Sequence, residues 1–281
     1  MEPLFWPKTS LPIRNLRRKL KHGQVFWREI GRGQTVVLLH GSWHDGDQWS
    51  DVLPLLGHQY HCLAPDLIGF GESQRIKDKS IQSIAMQVNT LAELLDSLRL
   101  ESVVLVGHSL GAWVATRFAL QYPERVKGLC VLEPEGLGYE PKRWRRSRWL
   151  ASPLGGLWLS ITKPFVRQAA PGQTPPWLQN YHLRQRLRRY PAACRLLFQR
   201  RRKDIEAEIV GPQLATLSIP MVVLQGDGAG NTSQQLTQAF TMAAAASVRV
   251  KVVPGNDELP SYEAKAVADF LDDWLADWLT D

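Results

Sequence analysis

Cysteine is scarce in this chain of 281 residues, which contains three. An odd number of cysteines without metal-ligand spacing favours neither a disulfide framework nor a zinc site. Cys62 and Cys130 lie in short apolar runs, which predicts reduced thiols in a packed core. Histidine, cysteine and carboxylate spacing offers no metal site either, so we expect no metal ion and no cofactor.

Long apolar runs are also missing. Runs such as 36–39 and 221–224 are far shorter than the ~18 residues that cross a bilayer, so no transmembrane helix is expected. The N-terminal stretch has no apolar core followed by a small-residue cleavage site, and we therefore expect a cytoplasmic protein. Hydrophobic residues make up 44% and charged residues 22%, which is typical of a packed globular protein.

The positive charge of the chain is concentrated in one segment. The net charge is +7, yet residues 137–215 alone hold 16 Lys or Arg against 4 Asp or Glu. Helical spacing and interleaved tryptophans in this segment predict a basic helical insertion. Residues 1–24 form a second, shorter basic segment.

The rest of the chain alternates short apolar runs with helical patterns, which predicts an α/β fold with a mostly parallel sheet flanked by helices. The core is assigned to residues 25–136 and 216–281. The predicted strands are 25–30, 35–40, 60–64, 102–107, 126–132, 220–225 and 248–253. The predicted helices of the core are 80–98, 110–121, 233–245 and 262–279.

One motif carries chemistry. Residues 103–106 are an apolar strand, 107–111 read G-x-S-x-G, and a helix follows. This context predicts a nucleophile elbow, in which the two glycines allow a tight turn that exposes the Ser109 hydroxyl at a helix N-terminus.

Two more segments lie at the ends of predicted strands: His40-Gly41-Ser42-Trp43 and the stretch 64–73, which reads APDLIGFGES. With the elbow, their order and spacing resemble the α/β-hydrolase superfamily, in the branch of esterases, epoxide hydrolases, haloperoxidases and C–C hydrolases. The resemblance implies that Ser109 is the nucleophile and that the backbone N–H groups of Ser42 and Leu110 form an oxyanion hole. It also implies that residues 137–215 are a helical cap, which with the core encloses an apolar cleft.

The remaining catalytic groups of that superfamily are not at their usual positions. In the superfamily, the catalytic acid commonly lies three residues after a Gly that ends a strand. Here that Gly is Gly226, and the position three residues later is Ala229. The nearest carboxylate is Asp227. The histidine should follow the last strand, where residues 254–260 read PGNDELP. No histidine follows His182.

A serine hydroxyl needs a base to accept its proton, and several residues are candidates to replace the missing histidine. Glu258 or Asp257 could act as a carboxylate base with a pKa raised by burial. His44, just after the oxyanion segment, is the alternative histidine. Glu133 and Glu135 follow the strand 126–132, where some members of the superfamily carry their acid.

Two functions are therefore weighed. The first is hydrolysis of an ester-like, lipophilic small molecule by Ser109 with an atypical base. The second is a non-catalytic binding or scaffold protein that keeps the pocket for a small hydrophobic ligand. Residues 142–149 interleave Arg and Trp, which leaves two interpretations open, a solvated or anion-facing charged surface and peripheral contact with an anionic membrane. Nucleic-acid binding is not expected, because no nucleic-acid module accompanies the charge.

Overall fold

The computed structural model describes residues 11–78, 81–162, 175–244 and 248–279. Its eight-stranded sheet has the order β1-β2-β4-β3-β5-β6-β7-β8. The strands are β1 (Arg14–Leu20), β2 (Gly23–Ile30), β3 (Thr35–Leu39), β4 (His61–Pro65), β5 (Val103–His108), β6 (Val126–Leu132), β7 (Met221–Gly226) and β8 (Val248–Val253). Strand β2 pairs antiparallel with β1 and β4, and all later pairs are parallel. The predicted sheet architecture is confirmed.

Helices cover both faces of the sheet. Those of the core are α1 (Leu53–Leu56), α2 (Ile84–Ser97), α3 (Leu110–Gln121), α9 (Asn231–Ala244), α10 (Leu259–Tyr262) and α11 (Ala264–Leu279). One buried cluster lies between the sheet and α2 and α3, and the other between the sheet and α1 and α11. The central strands β3 and β5 are buried along their whole length because both faces are covered. Cys62 and Cys130 are buried free thiols in β4 and β6, as expected.

The sheet begins earlier than the core assignment at residue 25. Residues 14–20, assigned above to the basic segment 1–24, form an edge strand that pairs with residues 23–29 of β2. The local sequence is highly charged, and its strand conformation comes from this pairing. Arg14 lies 2.7 Å from Glu29, and Arg17 pairs with Glu72, so these cations have acidic partners. Residues 1–10 lie outside the described part of the chain.

The segment 137–215, called the insertion below, runs between β6 and β7. Its helices are α4 (Pro141–Ala151), α5 (Pro153–Thr162), α6 (Pro176–Arg189), α7 (Pro191–Cys194) and α8 (Arg202–Glu206), with a π-helical turn at Arg195–Gln199. Glu208, near its end, pairs with buried Arg200 and accepts the N–H groups of Ile84 and Ala85 at the start of α2. This negative charge at a helix N-terminus fixes the insertion to the core. Within the described residues, no helix is long and apolar enough to span a membrane.

Candidate active site

Ser109 occupies a strained turn between β5 and α3. Its φ of 51° and ψ of −111° are rarely adopted by a residue with a side chain, and such strain persists where surrounding structure enforces it. The Ser109 N–H donates to Leu132 O at 2.8 Å, which holds the turn against β6. A Cβ at Gly111 would lie 2.3 Å from Leu39 O, and one at Gly107 would lie 2.6 Å from the backbone of Ala112. The close approach explains why the motif needs glycine at both positions.

The Ser109 hydroxyl faces the loop after β3. Its Oγ lies 3.0 Å from Oγ of Ser42, which is buried. Leu110 is the first residue of α3, where backbone N–H groups have no partner within the helix and are available for a developing negative charge. The structure thus brings together the three residues Ser42, Ser109 and Leu110.

His108, next to Ser109 in the chain, has a fixed orientation. Gln48 accepts the Gly41 N–H with its Oε1 at 2.8 Å, so its Nε2 group faces Nδ1 of His108 at 2.9 Å as a donor. Nδ1 must then accept, and the ring proton resides on Nε2. That buried nitrogen lies 3.4 Å from Oε1 of Glu133. Sequence reasoning did not identify Gln48, because no local pattern indicates its contact with a residue 60 positions away.

Glu133 also holds the loop after β8. Its Oε1 accepts the backbone N–H of Glu258 at 2.8 Å. Both residues adopt left-handed backbone conformations, with φ of 49° at Glu133 and 61° at Glu258. From this conformation the Glu258 carboxylate reaches back, and its Oε2 lies 3.5 Å from Nε2 of His44. The histidine of one loop and the carboxylate of another form a pair.

The electrostatics of the two carboxylates depend on the neighbouring rings. Burial raises the pKa of Glu133, but its interaction with His108 and the hydrogen bond that it accepts from the Glu258 N–H lower the pKa by more, so the net shift is downward. Interaction with His44 lowers the pKa of Glu258 by more than burial raises it. The expectation of a Glu258 base with a raised pKa is therefore not met. A carboxylate of low pKa is better suited to orienting an imidazole than to accepting a proton itself.

The other candidate carboxylates make structural contacts. Asp257 accepts the Gly230 N–H at 3.0 Å, and Asp227 accepts the Gly255 N–H at 3.0 Å, so both brace the turns after β7 and β8. Glu135 receives two guanidinium hydrogen bonds from Arg143 of α4, at 2.7 and 2.9 Å. Burial raises the pKa of Glu135 despite this arginine.

A cavity of about 200 Å³ opens beside Ser109. Its walls come from the core and the insertion and comprise Ser42, Trp43, His44, His108, Ser109, Glu133, Glu135, Arg143, Trp144, Arg186, Thr232, Ser233, Leu236, Asp257 and Glu258. It shares Trp43, His44, Arg186 and Glu258 with a larger cavity of about 610 Å³. The prediction of an apolar cleft is wrong at Ser109, because most of the side chains that line this cavity are polar or ionisable and only Trp43, Trp144 and Leu236 are apolar. Within the described residues, no cluster of three or more histidine, cysteine or acidic side chains could hold a metal ion.

Comparison with known proteins identifies the family. The profile of the Alpha/beta hydrolase family matches residues 36–270, which is most of the chain. The chain belongs to this family.

Curated relatives of this family member match over part of their length. A 2-hydroxy-6-oxo-2,4-heptadienoate hydrolase of Pseudomonas putida is 36% identical over 115 residues, covering 40% of this chain and 41% of that protein. A 2-hydroxy-6-oxo-6-phenylhexa-2,4-dienoate hydrolase of Burkholderia cepacia is 28% identical over 142 residues, covering 49% of each. The chain thus spans less than half the length of these relatives.

Solved structures match over nearly the whole chain. A haloalkane dehalogenase from Bradyrhizobium elkani superposes with a TM-score of 0.71 at 22% identity, covering 94% of this chain and 98% of that one. An esterase from Thermogutta terrifontis gives a TM-score of 0.69 at 22% identity, covering 95% and 98%. At this identity the likeness establishes the fold, and the chemistry must come from the site.

Proposed function

We propose that this protein is a serine hydrolase that cleaves an ester-like, lipophilic small molecule, with Ser109 as nucleophile and the Glu258–His44 pair in the role of the base. The observation that carries the proposal is the pairing of a histidine with an ionised carboxylate in the cavity that holds an elbow serine. This proposal moves both groups from their usual positions in the family. The loop after β8 supplies the acid, and the loop after β3 supplies the histidine.

The proton transfers of the proposed reaction follow from this pair. Glu258 keeps a proton on Nε2 of His44, which leaves the lone pair of the other ring nitrogen to accept the hydroxyl proton of Ser109. Oγ of Ser109 attacks the acyl carbon, and the oxyanion is stabilised by the N–H groups of Ser42 and Leu110. The leaving alcohol takes the proton from His44. Water then attacks the acyl carbon and gives its proton to His44, which returns a proton to Oγ of Ser109 as the acid leaves.

The preference for a lipophilic acyl group rests on the aromatic walls of the two cavities. Trp43 lies at the centre of this wall, with ring centroids 6.4 Å from Trp144 and 6.5 Å from Tyr190 in edge-to-face geometry. These rings come from the core and from the insertion. Such aromatic surfaces bind apolar groups well, while the ionisable side chains opposite suit the polar end of the molecule.

Hydrolysis of a series of aryl esters of increasing acyl length tests the proposal. We expect measurable turnover by the purified protein, its loss in Ser109→Ala, and unchanged turnover in Ser97→Ala, whose hydroxyl donates to Leu94 O of its own helix. Equal rates for wild type and Ser109→Ala would contradict the proposal. In that case the alternative is a non-catalytic binding protein, and saturable binding of the uncleaved esters would identify it.

A further inference from the structure

Helix α5 presents its apolar side chains to the outside. Leu154, Leu157, Trp158 and Ile161 are 71%, 59%, 41% and 58% exposed. Their spacing of three, four and seven residues places all four on one face of the helix. A surface helix normally buries such an apolar stripe against the core, whereas the apolar stripe of α5 is exposed to solvent.

The inward face of α5 is built from small residues. A Cβ at Gly155 would lie 2.4 Å from Trp149 O, and one at Gly156 would meet the guanidinium of Arg184 at 2.3 Å. Only Leu159 is a large, fully buried residue of this helix. The two glycines let α5 pack closely on α4 and α6, and the close packing fixes the apolar stripe outward.

The end of α4 extends the apolar surface. Trp149 is 42% exposed, and its ring centroid lies 5.0 Å from that of Trp158 in an edge-to-face pair. Indole rings are enriched where a protein meets the headgroup region of a bilayer. We call Trp149, Leu154, Leu157, Trp158 and Ile161 the apolar patch.

The surroundings of the patch are strongly cationic. Residues 141–203 contain sixteen Lys or Arg and not one Asp or Glu. On α4, next to the patch, Lys142, Arg145 and Arg148 are exposed. Arg143 and Arg146 of the same helix instead bond Glu135 and Asn180. The exposed cations, rather than the whole arginine-rich run, are therefore the ones available to an external anion.

We propose that α5 and the end of α4 dock on an anionic lipid bilayer, with the apolar patch in the interface and the exposed α4 cations on lipid headgroups. The exposed cations favour an anionic surface, and the apolar stripe favours a surface with a hydrocarbon interior, so an anionic bilayer satisfies both. Trp144, which lies with Trp149 in the Arg- and Trp-rich stretch 142–149, is not part of this surface. It stacks on Phe198 at 5.4 Å and lines the cavity near Ser109.

Co-flotation with vesicles tests this docking. Wild-type protein is mixed with vesicles of phosphatidylcholine alone or with 30% phosphatidylglycerol (about the anionic fraction needed for a strong surface potential), at low and high salt. We expect binding to the anionic vesicles at low salt and its loss at ~1 M salt, where the Debye length falls to ~3 Å. The expected dependence on salt separates charge attraction from purely apolar adsorption.

Two pairs of variants locate the surface. Leu157→Gln with Ile161→Gln removes two apolar anchors, and we expect the partition coefficient to fall on the order of 100-fold. Arg145→Gln with Arg148→Gln should lower it about 30-fold. Two matched controls change exposed residues elsewhere. One is Met242→Gln on α9, and the other is Arg249→Gln with Lys251→Gln on β8. Both control variants should bind the vesicles as wild type does.

Three results would overturn the docking proposal. One is wild-type protein that floats with neither vesicle, and another is a pair of patch variants that bind as tightly as wild type. The third is coverage of the patch by a second copy of the chain. Light scattering would then show a dimer that dissociates when Leu157→Gln and Ile161→Gln are introduced together. None of these measurements depends on turnover, so the result is independent of the proposed hydrolase activity.

Discussion

Nε2 of His44 lies 3.5 Å from Oε2 of Glu258, and this pair joins the loop after β3 to the loop after β8. The backbone of Glu258 is held by the carboxylate of Glu133, which itself faces His108. Two histidine and carboxylate pairs therefore stand side by side around Ser109, with the imidazole rings 6.2 Å apart. One pair fixes the loop, and the other is the candidate base.

Loss of the Glu258 charge should remove the orientation of His44. We expect Glu258→Gln to lower kcat/KM for a short-chain aryl ester on the order of 10², the lower part of a general-base contribution. Because His44 lowers the pKa of Glu258, the wild-type carboxylate stays ionised at neutral pH. Asp257→Asn should keep most of the activity, since an amide oxygen can still accept the Gly230 N–H. Steady-state kinetics with matched thermal melting curves would measure both, and a loss in Asp257→Asn alone would assign the base to Asp257.

The hydroxyl of Ser42 should contribute less to turnover than its backbone N–H, which is a proposed oxyanion-hole donor. Its Oγ lies 3.0 Å from Oγ of Ser109, and this contact restricts the rotamer of Ser109. We expect Ser42→Ala to lower kcat by about tenfold with little change in KM, since positioning losses are smaller than losses of a reacting group. Unchanged kcat in this variant would show that the hydroxyl contact has no part in catalysis.

Stability at acid pH should depend on Glu133. Its folded-state pKa lies below the ordinary value of 4.5, so its ionised form contributes stability fully above that pH and loses the contribution as the pH falls through the lowered pKa. We expect Glu133→Gln to reduce the free energy of unfolding by about 1–3 kcal/mol at pH 7, with the difference from wild type shrinking below pH ~4.5. Urea titrations from pH 7 to pH 3 measure this, with the exposed Glu124→Gln as control. A difference that stays constant with pH would contradict the role of its charge.

The link between Glu135 and Arg143 should hold the insertion to the core. Arg143→Met leaves a largely buried carboxylate without its partner, and we expect a loss on the order of 3 kcal/mol in the free energy of unfolding. Adding Glu135→Gln to that variant should recover part of the loss. The exposed pair of Arg202 and Glu206 is the control, and Arg202→Met should leave the denaturation midpoint unchanged. An equal effect of Arg143→Met and Arg202→Met would show that burial of the pair contributes nothing.

Local sequence patterns predicted most of the sheet. The strand at 126–132 and the helix at 110–121 have the expected bounds, because apolar periodicity and the G-x-S-x-G turn mark them directly. Strand β1 was assigned to a basic segment because four of its seven residues are Lys or Arg, and its conformation comes from pairing with β2.

The site was predictable where one motif holds the residues and not where distant loops meet. Ser109 and its turn follow from five consecutive residues. His44 and Glu258 were both candidates, yet their contact spans more than 200 positions and depends on the left-handed backbone at Glu258. The low pKa of Glu258 follows from that contact, so the sequence alone suggested the opposite direction.

Covalent labelling of Ser109 tests the central claim most directly. The wild-type protein is treated with a fluorophosphonate at several values from about pH 5 to about pH 9, and the adduct is mapped by tandem mass spectrometry. The account predicts an adduct on Ser109, formed on the order of 10² more slowly in Glu258→Gln and absent in Ser109→Ala. Wild-type protein that acquires no adduct at any of these pH values, or acquires it on a residue other than Ser109, would contradict the claim.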